Sequence, residues 1–256
     1  MHKIAAFTGR NAKEILRDPL SYIFCLGFPL VMLVIMTLVD RSIPQQAGMT
    51  IFHIENLSGG VMVFGLTFVM LFTAITVAKD RSGAFLLRMY ASPMTAVDFV
   101  LGYLLPMLCI ALLQALLIGA CSFAVSLITG GALSVVGVLL AAISAIPSAV
   151  FLIGLGMLFG TLCNDKSAPG LCSIVISLGS FLGSIWFDAE ATGGVLLKIS
   201  KCLPFHYLTK SLRAAVQLNL TVEAYWTPLG IASACALAML LLAAAVFRGK
   251  MRAEMA

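Results

Sequence analysis

Residues 99–164 read FVLGYLLPMLCIALLQALLIGACSFAVSLITGGALSVVGVLLAAISAIPSAVFLIGLGMLFGTLCN and contain no Asp, Glu, Lys or Arg. An α-helix needs about 20 apolar residues to cross the hydrocarbon core of a bilayer. The stretch is much longer than one crossing, so the chain must fold back on itself within it. Gly130 and Gly131 are the one pair of adjacent glycines in the stretch and predict the turn. The sequence therefore predicts two long membrane helices joined near Gly130.

Four further charge-free runs are each about as long as one crossing, and they lie at residues 19–39, 56–78, 167–187 and 224–247. Together with the two long helices they predict an all-α integral membrane protein with six transmembrane helices, near residues 20–39, 59–78, 99–128, 133–162, 168–187 and 225–247. A second break at Pro147 would give seven helices, and the distribution of Lys and Arg favours neither number. Three helices and two turns would crowd residues 99–164, whereas two tilted helices tolerate Pro106 and Pro147 as kinks, so six is the prediction.

The composition argues against several classes of function. At 61% hydrophobic and 11% charged, the chain is one membrane domain, residues 19–256, preceded by a separate helix in residues 1–18. The predicted spans hold no carboxylate or histidine that could relay protons. The sequence has neither G-x-x-x-x-G-K-[ST] nor H-E-x-x-H. We therefore expect no catalytic residues, no metal or cofactor and no nucleic-acid partner, and any uphill transport must be powered by another polypeptide.

The first 18 residues are predicted to form an amphipathic helix along the membrane surface. At 100° per residue its basic residues fall within an arc of about 80°, and they are Lys3, Arg10, Lys13 and Arg17. The apolar residues cover the other side, and they are Ile4, Phe7, Ala12, Ile15 and Leu16. The basic face would meet anionic lipid while the apolar face enters the headgroup boundary. The alternative is an ordinary cytoplasmic helix packed on its own domain.

A short helix is predicted between spans 2 and 3, in residues 79–94, and it carries charged and large apolar side chains. Its candidate contact residues are Asp80, Arg81, Gly83, Phe85, Leu86, Arg88, Met89, Tyr90, Ser92 and Pro93. A short helix with such side chains facing the cytoplasm suits the docking of a protein partner. The alternative is a plain connector held at the interface by its aromatic residues.

The spans and the last loop add three features. Phe64, Phe68 and Phe72 form a stripe on one face of span 2, which suits packing or lipid contact and, as a second hypothesis, a path for a hydrophobic substrate. Two pairs of glycines, at positions 156 and 160 and at positions 179 and 183, allow close helix packing. Residues 188–223 are too apolar for a free loop and predict two short re-entrant helices in the outer leaflet, broken at Pro204.

These parts resemble the permease subunit of type-2 ATP-binding-cassette exporters, over essentially the whole chain. The matching segments are the end of the first helix at residues 16–19 (LRDP), the joint at residues 80–94, the start of span 3 at residues 98–106 (DFVLGYLLP), and the late segments at residues 203–207 (LPFHY) and 210–213 (KSLR). Each segment is a loose pattern, and their order and spacing carry the resemblance.

The resemblance implies a half-transporter in the cell membrane, with both termini in the cytoplasm. Its partners would be a second permease, identical or paralogous, and a separate cytoplasmic ATPase that binds ATP and Mg. Residues 80–93 would contain the coupling helix that moves when the ATPases close, and alternating access would carry a drug, peptide or lipid-like substrate outward. A polysaccharide or glycolipid exporter, a channel without an ATPase and an intramembrane enzyme are the alternatives.

Overall fold

The computed structural model describes residues 2–44, 50–83, 85–86 and 94–255, with the backbone alone for residues 2, 3 and 251–255. Its helices are α1 His2–Arg17, α2 Pro19–Ser42, α3 Ile54–Ser82, α4 Ala96–Thr129, α5 Val135–Leu162, α6 Ala168–Leu182, α7 Ala189–Thr192, α8 Gly194–Cys202, α9 Pro204–Val216 and α10 Thr227–Met255. One π-helical turn, Ile23–Gly27, lies inside α2, and another, Val222–Trp226, leads into α10. The described residues thus form helices joined by loops and no strand, as the sequence predicts.

Within the described residues, five helices are long and apolar enough to cross a membrane, and they are α2, α3, α4, α5 and α10 with its π-helical turn. The sixth predicted span, residues 168–187, is shorter in the structure. Helix α6 is apolar but has 15 residues, or about 22 Å, against a hydrocarbon core of about 30 Å. It ends because the chain turns at Gly183 and Ser184, where Ser184 has a positive φ of 58°. A sixth crossing therefore stays a prediction.

Helix α3 forms the centre of the bundle. In an apolar stretch of 18 residues in α3, 83% of the residues are buried by other parts of the chain, compared with 17% in the corresponding stretch of α2. Its closest packing is on α5, where a Cβ added at Gly156 would lie 2.3 Å from the carbonyl oxygen of Met70, and one at Gly160 would lie 2.6 Å from that of Ala74. Only glycine permits this approach, which confirms the predicted close packing for the first glycine pair.

The turn between α4 and α5 lies where the glycine pair predicts it. Helix α4 ends at Thr129, and Gly130 follows with φ 74°, a left-handed conformation that costs glycine little. Pro106 and Pro147 both lie inside their helices and do not end them. The prediction of two long helices, rather than three shorter ones, is confirmed.

The segment after α6 folds into three short helices, α7, α8 and α9, where the sequence predicts two, because Gly193 separates α7 from α8. Helices α8 and α9 meet at Leu203, with Pro204 as the first residue of α9, so the predicted break at Pro204 is confirmed. Helix α9 packs on the start of α3, where a Cβ added at Gly59 would lie 2.7 Å from the backbone nitrogen of Arg213. The second predicted glycine pair contacts this segment, since the ring of Phe205 covers Gly179. Helix α9 therefore packs on the bundle, against both α3 and α6.

Candidate functional site

Asp80 lies near the carboxyl end of α3 and is buried, with 4% of its surface exposed. Arg10 of α1 donates two hydrogen bonds to it, from Nη1 to Oδ2 at 2.5 Å and from Nη2 to Oδ1 at 2.7 Å. The Tyr103 hydroxyl of α4 donates a third, to Oδ2 at 2.7 Å. Bidentate arginine–carboxylate pairs are among the stronger hydrogen-bonded contacts in proteins. The Asp80 carboxylate thus connects α1, α3 and α4. We call Arg10, Asp80 and Tyr103 the inner joint.

Arg10 makes further contacts that hold its guanidinium in place. It donates to Asn11 Oδ1 at 2.9 Å, and its Nη2 lies 2.8 Å from Glu14 Oε2, one helical turn further on. Its Cζ lies 4.0 Å from the ring centroid of Phe85, a cation–π contact with a residue just after α3. Burial alone would lower the pKa of Arg10, but the hydrogen bonds and charge of Asp80 outweigh it, and the pKa is raised. The arginine is therefore a fixed positive charge at the joint.

An aromatic cluster surrounds the inner joint and anchors α1. The ring of Phe7 lies edge-on to Phe99 and Tyr103, with centroids 5.6 and 5.1 Å away, and is stacked at 6.4 Å from Phe85. Gly102 leaves room for this ring, since a Cβ there would lie 2.1 Å from it. Next to it the buried Asn11 donates to the Gly102 carbonyl at 3.0 Å. These contacts fix α1 on α4.

Helix α1 therefore differs from its prediction. Phe7 and Ile15, expected at the headgroup boundary, are buried against protein, and Arg10, expected on the basic face, points to Asp80. Lys13 and Arg17 are exposed, and the side chain of Lys3 lies outside the described residues. For this buried face the structure favours the alternative of a helix packed on its own domain.

Arg81, the residue after Asp80, points to a different helix. Its Nη1 donates to the carbonyl oxygen of Thr161 and makes a longer contact of 3.4 Å with that of Cys163. These carbonyls lie in the last turn of α5 and just after it, where a helix leaves acceptors unpaired and a cation is favourable. The end of α3 is thereby attached to α5 as well.

The structure brings together the first part of the predicted coupling segment. Asp80 and Arg81 lie in the last turn of α3, Gly83 ends that helix, Phe85 contacts Arg10 of the joint, and Leu86 is fully buried in the hydrophobic core. The remaining predicted residues lie outside the described residues, and they are Arg88, Met89, Tyr90, Ser92 and Pro93. Sequence reasoning missed Tyr103 and the pairing of Arg10. The one available signal was Asp80 itself, a carboxylate two residues beyond the end of a charge-free run.

The phenylalanine stripe of α3 is covered by α2. Phe64, Phe68 and Phe72 are each at most 8% exposed. Phe28 lies on Phe64 and Phe68, with centroids 5.9 and 5.2 Å away, and Phe24 lies 6.1 Å from Phe68 and 6.2 Å from Phe72. Trp186 continues the row, 5.0 Å from Phe64. The rings form one track between α2 and α3, which we call the aromatic track.

Long apolar helices packed around a buried central helix, with a charged joint at one end, define a multi-pass membrane protein. The family model described as "ABC-2 type transporter" matches residues 2–216, so the chain belongs to the ABC-2 type transporter family. A search of curated proteins gave no match. The chain is therefore the membrane component of an ATP-binding-cassette transporter, and its family implies an ATPase of that class as a partner.

Proposed function

We propose that this chain is the permease half of an exporter that moves a hydrophobic or amphipathic substrate, such as a drug, peptide or lipid, out of the cytoplasm or the inner leaflet. A separate cytoplasmic ATPase, holding ATP and Mg, supplies the energy. Two permeases, identical or paralogous, face each other in the cell membrane with their termini in the cytoplasm. Closure of the ATPases favours one of two arrangements of the spans, and release restores the other.

The inner joint is the observation that supports this proposal. Residues 80–93 begin in the last turn of α3, the most buried helix of the bundle, and Asp80 connects the start of this segment to α1 and α4. Arg81 connects the start of this segment to α5. A partner that displaces this segment therefore acts on several helices together, since each would have to break a charged contact to stay behind.

The aromatic track supports an apolar substrate. It runs along α3 between Phe72 and Phe64 and reaches Trp186, beside the outer helices. It contains no charged side chain, so a polar cargo would gain nothing there to offset the loss of its hydration. Because α2 covers the track, the path opens when α2 moves away from α3.

The test is purification of the chain with its native partners and reconstitution in vesicles. The expected complex contains an ATPase, and transport depends on ATP hydrolysis. Arg88→Glu is expected to leave assembly intact while hydrolysis no longer drives transport, because the reversed charge alters the contact with the ATPase. Lys198→Glu is the matched control, since it reverses an exposed charge on α8. Normal coupling in Arg88→Glu would contradict the placement of the coupling segment, and nucleotide hydrolysis or passive flux by the chain alone would contradict the function.

A further inference from the structure

A second cluster of charged groups lies at the other end of the bundle from the inner joint, between α7 and α9. His206 of α9 is buried, at 3% exposure. Its Nδ1 is 3.5 Å from Ser184 Oγ, and its Nε2 is 3.8 Å from Glu190 Oε1. The same Glu190 oxygen lies 2.6 Å from Nζ of Lys210. We call Ser184, Glu190, His206 and Lys210 the outer clasp, because they connect the segment after α6 to α9.

We propose that the outer clasp is a pH-responsive contact, in which protonation of His206 releases residues 186–192 from α9. The imidazole is buried beside a polar cavity of about 200 Å³, and its polar contacts within the described part of the chain, to Ser184 and Glu190, are both long. The carboxylate that could stabilise an imidazolium, Glu190, is already engaged by Lys210 at a much shorter distance. The closed clasp therefore holds neutral histidine well and imidazolium badly.

The charges around the imidazole point the same way. Two carboxylates and three cations surround His206 or line the same cavity, and they are Asp188, Glu190, Lys201, Lys210 and Arg213. Burial lowers the pKa of His206, Glu190 opposes this, and the three cations add to it. In an opened clasp the imidazole would be hydrated, with a pKa near its ordinary value of about 6.5. The clasp is then stable above about pH 6.5 and weakens as the pH falls, because the proton binds the open form better.

The release is confined to one segment. Arg213 donates from Nε to the Asn56 carbonyl at 3.0 Å and from Nη2 to the Ile185 carbonyl at 3.2 Å. Burial lowers the pKa of Arg213 to about 10, so the side chain stays charged across the range in which histidine titrates. Helix α9 thus stays attached to α3 at acidic pH, and movement falls on residues 186–192. If this end faces outward, as the proposed function has it, the clasp responds to external acid.

The chain provides its own reporter for this movement. It has two tryptophans, Trp186 within the segment and the exposed Trp226 on the π-helical turn before α10. The variant Trp226→Phe of the full chain, in lipid nanodiscs, leaves Trp186 as the single emitter. We expect acrylamide quenching of Trp186 to increase from pH 8 to pH 5, with a midpoint below about 6.5.

Substitutions assign the transition to its group. His206→Gln is expected to abolish it, and His53→Gln, which alters an exposed histidine 3.9 Å from Asp40, is expected to preserve it. Lys210→Met and Glu190→Gln both lose the contact between these two side chains, and they differ in the charge that is left beside the imidazole. The transition of Lys210→Met should have a lower midpoint than that of Glu190→Gln, because Glu190, freed from Lys210, stabilises the imidazolium inside the closed clasp. A transition that survives in His206→Gln, or that disappears in His53→Gln, overturns the proposal.

Two further results keep the proposal testable without reference to transport. If His206→Gln does not elute from a sizing column like the parent, the Lys210 and Glu190 variants decide, since both side chains are partly exposed. A midpoint in Lys210→Met that equals or exceeds the midpoint in Glu190→Gln overturns the proposal. The measurement uses the isolated chain and no nucleotide, so its failure would leave the exporter function unaffected.

Discussion

The inner joint makes a quantitative prediction through Asp80→Asn. Both Nη atoms of Arg10 donate to the Asp80 carboxylate. The side-chain amide of Asn keeps one acceptor oxygen and replaces the other with an NH2 donor, so one of the two hydrogen bonds is lost. Removing one partner of a buried ion pair costs about 3–5 kcal/mol. The Arg10 side chain is 34% exposed and keeps its contact with Glu14, so part of its charge is still solvated or paired. We therefore expect a loss of about 2–3 kcal/mol in the attachment of α1.

Hydrogen exchange of the α1 amides measures this loss directly. At about 1.4 kcal/mol per tenfold, the opening of α1 should become about 30- to 150-fold more frequent. Tyr103→Phe removes one hydrogen bond and should cost about 1 kcal/mol. Glu14→Gln is the control, because that ion pair is exposed and lies within one helix, and its loss should cost no more than about 0.5 kcal/mol.

A double substitution separates the ion pair from general damage to the fold. If Arg10 and Asp80 act on one another, Arg10→Met combined with Asp80→Asn should cost clearly less than the sum of the two single changes. Additive costs would refute the reasoning, and so would an Asp80→Asn chain whose α1 exchanges no faster than that of Glu14→Gln. Either result would mean that α1 is held by Phe7, its aromatic neighbours and the Asn11 hydrogen bond rather than by the ion pair.

Two more predictions test the interior of the bundle. The double substitution Phe68→Ala with Phe72→Ala should reduce transport of an apolar substrate at normal protein levels. Phe181→Ala, on the exposed face of α6, should leave transport unchanged. Equal transport by the two variants would refute the hypothesis that the substrate moves along the aromatic track. Gly65→Ala should lower the unfolding temperature, because the added Cβ would lie 2.0 Å from Nε2 of Gln114. A further Gln114→Ala should restore much of the lost stability. No restoration would mean that the clash is with another neighbour, such as Pro29, whose Cγ would lie 2.9 Å away.

Much of the fold could be predicted because a membrane imposes simple rules on a sequence. A charged side chain at the bilayer centre costs about 2.5–3.5 kcal/mol on insertion scales, so charge-free runs mark the helices directly. The turn at Gly130 and the break at Pro204 follow from the backbone properties of glycine and proline. The end of α6 could not be read in this way, since Gly183 and Ser184 lie inside a charge-free run.

The inner joint was only partly predictable, for a different physical reason. Arg10 and Asp80 lie 70 residues apart, and no local pattern records that they meet. The basic face of α1 suits lipid and the apolar face suits either lipid or protein, because both environments remove apolar surface from water. The decision depends on the shape of α4, where Gly102 leaves space for Phe7. Such a fit is a property of two helices together and is absent from the periodicity of either one.

Helix α3 is attached at both ends by arginine side chains from other helices. Arg10 pairs with Asp80 at one end, and at the other Arg213 donates to the Asn56 carbonyl. Its middle lies against α5 with glycine between the backbones, which leaves no side-chain layer that could slide. Helix α2, by contrast, is mostly exposed and meets α3 through the rings of Phe24 and Phe28, which can repack without leaving a charge unpaired. A force applied at the inner joint should therefore move α3 and its attached helices as one body, and the relative displacement should fall between α2 and α3, along the aromatic track.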